Sequence, residues 1–362
     1  MVKAAVLYGF GEPLTIDSVK LKEPRADEVV VKVVASGVCH SDLSVVKGKL
    51  PFPPPVIPGH EGAGIIEEVG KGVTGLKVGD HVVLSWVENC GRCHFCVAGQ
   101  LHLCDANVRG VMEGLEYVYE KDGVNICRMA GVGSFAERTI VRATAAIKIP
   151  DDVPLDRACL VGCGVMTGVG AAINTVNLRP QDTVAVFGCG GVGLNVIQGA
   201  ALRGASKIIA VDLVDQKLQW AKQFGATHTV NARATDGVDA VRSLTDGLGV
   251  DYSFEVIGVA EVILQSFMAL KRGGKAVIVG VPAMGQDVSI PGAMIALEEK
   301  SLVGSLYGSA NMRRDIPKLL ELYMQKKLKI DELISRRIKL EDVNAAFEAM
   351  EKGEVARSVI VY

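Results

Sequence analysis

The 362-residue chain predicts an α/β protein of two domains, one β-rich and one built on a doubly wound parallel sheet. Three observations carry that prediction. Up to about Pro150, short runs rich in valine and isoleucine follow one another with turns between them and little helical spacing. From Thr183 the pattern changes, and β-branched runs alternate with segments of helical periodicity, as strands and crossover helices of a parallel sheet do. The length also exceeds what a single hydrophobic core usually spans.

In chain order, residues 4–7, 29–34, 64–66 and 81–84 are the strand candidates of the first part. Pro51, Pro53, Pro54, Pro55 and Pro58 then fix an extended loop between Cys39 and His60, because proline sets φ and pushes the residue before it out of the helical region. In the second part, strands at 183–187, 207–211, 251–256 and 276–281 alternate with helices at 192–203, 216–224 and 260–270. The tail holds helices at 316–325 and 340–351 and a last strand at 357–362, which lies outside the alternating pattern and is expected to return to the first domain. The expected boundaries are therefore 1–156, completed by 305–362, and 157–304.

Composition excludes several classes. Charged residues are 22% and hydrophobic ones 49%, as in an ordinary globular protein. A net charge of −2 provides no global field for nucleic acid or anionic lipid. The basic pairs Arg313-Arg314 and Arg336-Arg337 are short and read as solvated faces. The N-terminal stretch lacks the layout of a signal peptide, and the apolar run 160–173 is shorter than the roughly 20 residues a bilayer requires, so a cytoplasmic protein with no membrane partner is expected. Nine cysteines, an odd number with no secretion signal, point to metal thiolates rather than disulfides; Cys127, Cys159 and Cys189 are left over as small, partly buried hydrophobes.

Cys39-His40-Ser41-Asp42 sets a thiol, an imidazole, a hydroxyl and a carboxylate side by side just after a strand. Alone, such a quartet is an ordinary polar turn. It gains meaning from Gly59-His60-Glu61 and from Cys163, which lies between glycines. Separately, Cys90, Cys93, Cys96 and Cys104 form C-x2-C-x2-C-x7-C, four thiolates on one short loop that can close a tetrahedral sphere around a structural zinc. Unpaired thiols, a redox pair or an iron–sulfur cluster are the alternatives. His94 and His102 read as exposed loop residues beside a sphere already full.

Gly188-Cys189-Gly190-Gly191-Val192-Gly193 is G-x-G-x-x-G between a strand and a helix, and Asp212 ends the next strand 19 residues after Gly193. That context predicts a dinucleotide: glycines let the backbone reach the pyrophosphate at the helix N-terminus, and the carboxylate accepts from the ribose hydroxyls. Asp212 would repel a 2′-phosphate, and Leu213 and Val214 provide no arginine to bind one, so NAD is expected over NADP.

Gly59-His60-Glu61-Gly62-Ala63-Gly64, with Gly70 and Val73, resembles the zinc signature of the zinc-dependent medium-chain dehydrogenase/reductase family, alcohol dehydrogenase branch. Cys39, the four-cysteine loop, Cys163 and Gly188–Gly193 fall in that family's order along essentially the whole chain. The resemblance implies a GroES-like catalytic domain and a Rossmann domain with the site in the cleft between them, two zinc ions per chain, and hydride transfer between a primary aliphatic or aromatic alcohol and NAD through a zinc-bound alkoxide. It implies Cys39, His60 and Cys163 as catalytic zinc ligands, Asp42 behind His60, Glu61 as a group near the metal, and Ser41 as the hydroxyl that takes the alcohol proton. Ser44 stands where animal members carry a relay histidine, which leaves the last proton step to water or another base. His40 and Arg357 match basic positions against the pyrophosphate, Lys217 a lysine on the adenosine ribose, and Trp86 an aromatic wall of the substrate pocket.

Cys163 as a ligand favours this branch over polyol dehydrogenases, and Gly48-Lys49-Leu50 lacks the acidic pair of the glutathione-dependent formaldehyde branch. The length of 105–131 and the run Val277-Ile278-Val279 imply a homodimer paired across its sheets. The alternative from another class is a non-catalytic zinc and dinucleotide protein acting as a redox sensor.

Overall fold

Among the residues that the computed structural model describes, 1–106, 116–283 and 285–362, ten strands precede Pro150. They are β1 (Val2–Val6), β2 (Thr15–Leu21), β3 (Glu28–Val38), β4 (Val56–Ile57), β5 (Glu61–Val69), β6 (His81–Leu84), β7 (Tyr117–Lys121), β8 (Val124–Arg128), β9 (Arg138–Arg142) and β10 (Ala146–Lys148). β3 is the spine. Its side chains alternate as a strand requires: Val29 and Val31 enter a core with Ile66, Val82 and Leu84, while Val30 enters another with Phe135, Phe347 and Ile360. A valine-rich run buried on both faces therefore looks continuous in sequence. Residues 107–115, which fall within the stretch read as implying a dimer, lie outside the described residues.

Six parallel strands follow: β11 (Thr183–Phe187), β12 (Lys207–Asp212), β13 (His228–Asn231), β14 (Val250–Glu255), β15 (Leu270–Ile278) and β16 (Ser301–Gly304). Their order is β13-β12-β11-β14-β15-β16, the doubly wound arrangement whose strand order reverses beside the first strand. Helices Gly191–Leu202, Asp215–Gln223 and Ala260–Met268 fall where helical spacing predicts them, each within two residues at either end. β13 and β16 escape sequence reading, being four residues long and only partly apolar.

The chain then returns. β17 (Ile334–Ile338) pairs with β18 (Arg357–Val361), and β18 lies antiparallel to β3 with Ser358 opposite Val38, completing a seven-stranded sheet. The two units are Met1–Gly164 with Asn311–Tyr362, and Val165–Ala310. The first boundary lies beyond the expected residue 156, because helix Leu155–Val161 packs against β3 and β5 and carries Cys163 with it into the first unit. Cys127, Cys159 and Cys189 are wholly rather than partly buried. Among the described residues no single helix is long and apolar enough to cross a membrane.

Candidate metal and dinucleotide sites

Cys39 stands at the junction where β3 gives way to helix His40–Val46, its backbone still extended at φ −119° and ψ 157°. Asp42, fully buried on the first turn of that helix, has three partners. Its Oδ2 accepts from the Cys39 backbone N–H at 2.9 Å; its Oδ1 accepts from the Gly59 N–H at 3.1 Å and lies 2.8 Å from His60 Nδ1. One carboxylate thus fixes where the thiol starts and which way the imidazole faces. His60 Nε2 is left buried with no protein partner among the described residues.

That orphaned nitrogen points to an ion. The Cys39 and Cys163 sulfurs, a His60 nitrogen and a Glu61 oxygen all lie within 4.8 Å of one another, and all four residues are buried. Two sulfurs and an imidazole are a donor set that fits zinc. Glu61 crowds in because position 37 is glycine: a Cβ there would stand 2.0 Å from Glu61 Oε2. Glu61 Oε1 accepts from the Gly164 N–H at 3.0 Å.

Electrostatics follow from this crowding. The Cys163 thiol donates to the Cys39 sulfur, which pulls Cys39 well below the ordinary thiol range and pushes Cys163 well above it. Burial works to lower the His60 pKa but is outweighed by the Asp42 carboxylate and the Cys39 sulfur, which together hold the imidazole well above its ordinary value. Burial pushes Glu61 up to about 7 against the pull of Arg357.

Arg357, expected against a cofactor pyrophosphate, is buried beside the metal donors: Nη2 lies 3.6 Å from Glu61 Oε1 and 3.8 Å from Cys39 Sγ. No sequence signal placed it there, because the contact depends on β18 returning to β3. His40 is exposed near Glu351, and Ser41 and Ser44 are half-buried on the same helix. Trp86 is half-buried and packs against the core that contains Val82 and Leu84.

The four-cysteine loop also closes. The sulfurs of Cys90, Cys93, Cys96 and Cys104 lie within 4.8 Å of one another, with Cys93 and Cys104 at 3.9 Å. A tetrahedron with zinc–sulfur bonds of about 2.3 Å has sulfur–sulfur edges of about 3.8 Å, so the loop fits one ion. The irons and sulfides of a cluster would hold the thiolates further apart. Backbone N–H groups of Arg92 and Cys93 draw Cys90 down to about 6, favouring the thiolate that a metal needs, and burial pushes Cys96 up to about 12. His94 is exposed, whereas His102 is half-buried.

In the second unit, Gly188–Gly193 links β11 to helix Gly191–Leu202. A Cβ on Gly193 would stand 1.9 Å from the Gly188 carbonyl oxygen, so only glycine permits that crossing, whereas a Cβ on Gly190 would meet nothing within 4 Å. The open side of Gly190 and the uncapped N–H groups that follow it form a cradle suited to a pyrophosphate. Asp212 closes β12 with Oδ2 accepting from the Cys189 N–H at 2.7 Å and Oδ1 from the Val214 N–H at 3.0 Å. A carboxylate has further lone pairs for ribose hydroxyls. Lys217 is near enough to act on the Cys189 thiol, whose pKa burial and Asp212 push up and Lys217 pulls down.

Comparison with known proteins gives two family matches: an alcohol dehydrogenase GroES-like domain over residues 25–151 and a zinc-binding dehydrogenase over 191–325. An S-(hydroxymethyl)glutathione dehydrogenase of Aspergillus oryzae is 40% identical over 369 residues, covering 99% of this chain and 96% of its own. The crystal structure of benzyl alcohol dehydrogenase from Acinetobacter calcoaceticus superposes with a TM-score of 0.94 at 37% identity, covering 99% of each chain. A protein described as a zinc-binding dehydrogenase from Sinorhizobium meliloti 1021, bound to NADP, gives 0.83 at 30% identity over 100% of this chain and 99% of its own.

Proposed function

This chain belongs to the zinc-dependent alcohol dehydrogenase family, and from that footing we propose that it oxidises primary alcohols, aromatic or aliphatic, and reduces their aldehydes, with NAD as its partner. The observation that carries the proposal is the buried donor set of Cys39, His60 and Cys163, in which Asp42 holds Nδ1 and leaves Nε2 to face an ion. Zinc bound there supplies a Lewis acid that lowers the pKa of an alcohol hydroxyl, and a nicotinamide supplies the hydride acceptor.

The chain's own residues do the rest. Asp42 keeps His60 in the tautomer that offers Nε2. Arg357 balances the negative charge of Glu61 and Cys39. Ser41 takes the alcohol proton at its hydroxyl. Ser44, in place of a relay histidine, leaves the last transfer to water. Gly188, Gly190, Gly191, Val192 and Gly193 carry the pyrophosphate, and Asp212 with Lys217 holds the adenosine ribose; the family resemblance gives His40 a basic role toward the same cofactor. Asp212 favours NAD, although one neighbour in fold is bound to NADP.

Likeness to a benzyl alcohol dehydrogenase favours an aromatic substrate beside Trp86. A second reading, S-(hydroxymethyl)glutathione, rests on the 40% identity to a dehydrogenase named for it, against the absence of an acidic pair at Gly48-Lys49-Leu50. A homodimer paired through sheet edges would use β16. Val277-Ile278-Val279 cannot serve, because β15 already lies between β14 and β16, whereas β16 is one of the two edges of the sheet, β13 being the other, and Leu302 on β16 and Leu297 just before it are exposed. The test is NADH absorbance with NAD and a panel of benzyl alcohol, ethanol, a polyol and S-(hydroxymethyl)glutathione, with and without a zinc chelator. Chelator-sensitive turnover led by benzyl alcohol is expected. Preference for the glutathione adduct selects the second reading, and no turnover with two zinc ions bound overturns both.

A further inference from the structure

Glu255 ends β14 at the carboxyl end of the parallel sheet, where doubly wound folds bind their ligands. It is wholly buried and makes no ion pair among the described residues. Its Oε1 accepts from two successive backbone N–H groups, Ile257 at 2.8 Å and Gly258 at 2.7 Å, so the carboxyl folds back on the chain that leaves the strand. Its own carbonyl oxygen accepts from Val279 at 2.9 Å and Gly280 at 3.0 Å, holding the end of β15.

The second carboxyl oxygen sits against that clasp. A Cβ on Gly280 would stand 2.7 Å from Glu255 Oε2 and 2.1 Å from the Gly258 nitrogen, so the two turns cross at backbone contact. The turn that Glu255 holds also reaches the glycine-rich loop. Val256 N–H donates to the Phe187 carbonyl at 3.1 Å, and a Cβ on Gly188 would meet Ile257 Cγ1 at 2.6 Å and Val256 Cγ2 at 3.1 Å. Ile257 and Val281, carried on the two clasped turns, are 52% and 72% exposed. Large apolar side chains left in solvent beside a phosphate cradle form a floor for a ring or a sugar.

We infer that Glu255 is a positioning residue for the dinucleotide, locking the turn after β14 to the end of β15 so that Ile257 and Val281 flank the glycine-rich loop at a fixed height. The inference rests on the dinucleotide reading of that loop. It assigns the work to the geometry of one acceptor oxygen and not to charge.

Two substitutions in the zinc-loaded full chain separate these. Glu255→Gln keeps an acceptor at the same reach and removes the charge; Glu255→Asp keeps the charge and shortens the arm by one methylene. NADH affinity is read by fluorescence titration, and the KM for cofactor, kcat and Tm alongside it. We expect the Asp variant to bind NADH about tenfold or more weakly, with the KM for NAD rising in step and kcat at saturation holding, and the Gln variant to stay within about twofold of the parent. Parent-like binding by Asp, equal weakening in both, or weakening in Gln alone overturns the inference. So does an Asp variant that fails to fold, because the carboxyl then serves the whole unit. If the parent binds neither NADH nor NADPH, the dinucleotide reading itself fails.

Discussion

Arg357 Nη2 lies 3.6 Å from Glu61 Oε1 with both side chains buried, although one belongs to the returning strand and the other directly follows His60, the proposed zinc ligand. Removing the cation leaves a buried carboxylate uncompensated. In zinc-depleted protein, Arg357→Leu is expected to cost about 3–5 kcal/mol in denaturant unfolding, and adding Glu61→Gln to recover a large part of it. Strictly additive losses in the four-way cycle would show that the two side chains are not coupled.

The four-cysteine loop has all its sulfurs within 4.8 Å, so losing one donor opens the sphere. Cys93→Ser is expected to lower zinc from about two ions per chain to about one by elemental analysis, with a lower Tm. Full retention of metal would mean that the loop does not hold it.

In the function proposed here, Asp212 selects NAD over NADP through charge. Asp212→Gly removes the repulsion of a 2′-phosphate and should raise kcat/KM for NADP relative to NAD by about tenfold or more, as steady-state rates with each cofactor will reveal. An unchanged ratio would locate the selectivity elsewhere.

Asp156 ties helix Leu155–Val161, which leads into Cys163, to the tail. Burial alone would raise its pKa, but Arg157 at 2.7 Å and Arg337 at 2.8 Å outweigh it and hold the carboxyl below its usual range. A carboxyl whose folded pKa is depressed stabilises the protein above the unfolded value and loses that contribution as pH falls through the folded one. Wild-type Tm should therefore drop from about pH 4 downward more steeply than that of Asp156→Asn. Parallel Tm curves across that range would contradict the assignment.

Much of this was legible in sequence because the signals are local. The valine-rich run of β3, the alternation after Thr183, the four-cysteine spacing and G-x-G-x-x-G each involve residues close along the chain, where periodicity and turn chemistry act directly. What escaped is non-local. Arg357 beside Cys39, the space that Gly37 leaves for Glu61, and Glu255 clasping β15 all depend on which strands pair; the last strand's return to the first domain is expected from its place outside the alternating pattern, but its choice of β3 as partner has no trace in either segment. That β16 and β13, rather than β15, are the edges of the parallel sheet is likewise a fact of strand order.

The sheet that carries the metal donors is completed by β18, which pairs with the spine β3 from the far end of the chain. During synthesis, therefore, the early strands of that sheet wait for β18, while residues 165–310 form a unit that is contiguous along the chain. Cys39, His60 and Cys163 are exposed to the cell before Arg357 exists to balance them, and a premature stop anywhere in the tail yields a nucleotide-binding unit attached to an unfinished metal site.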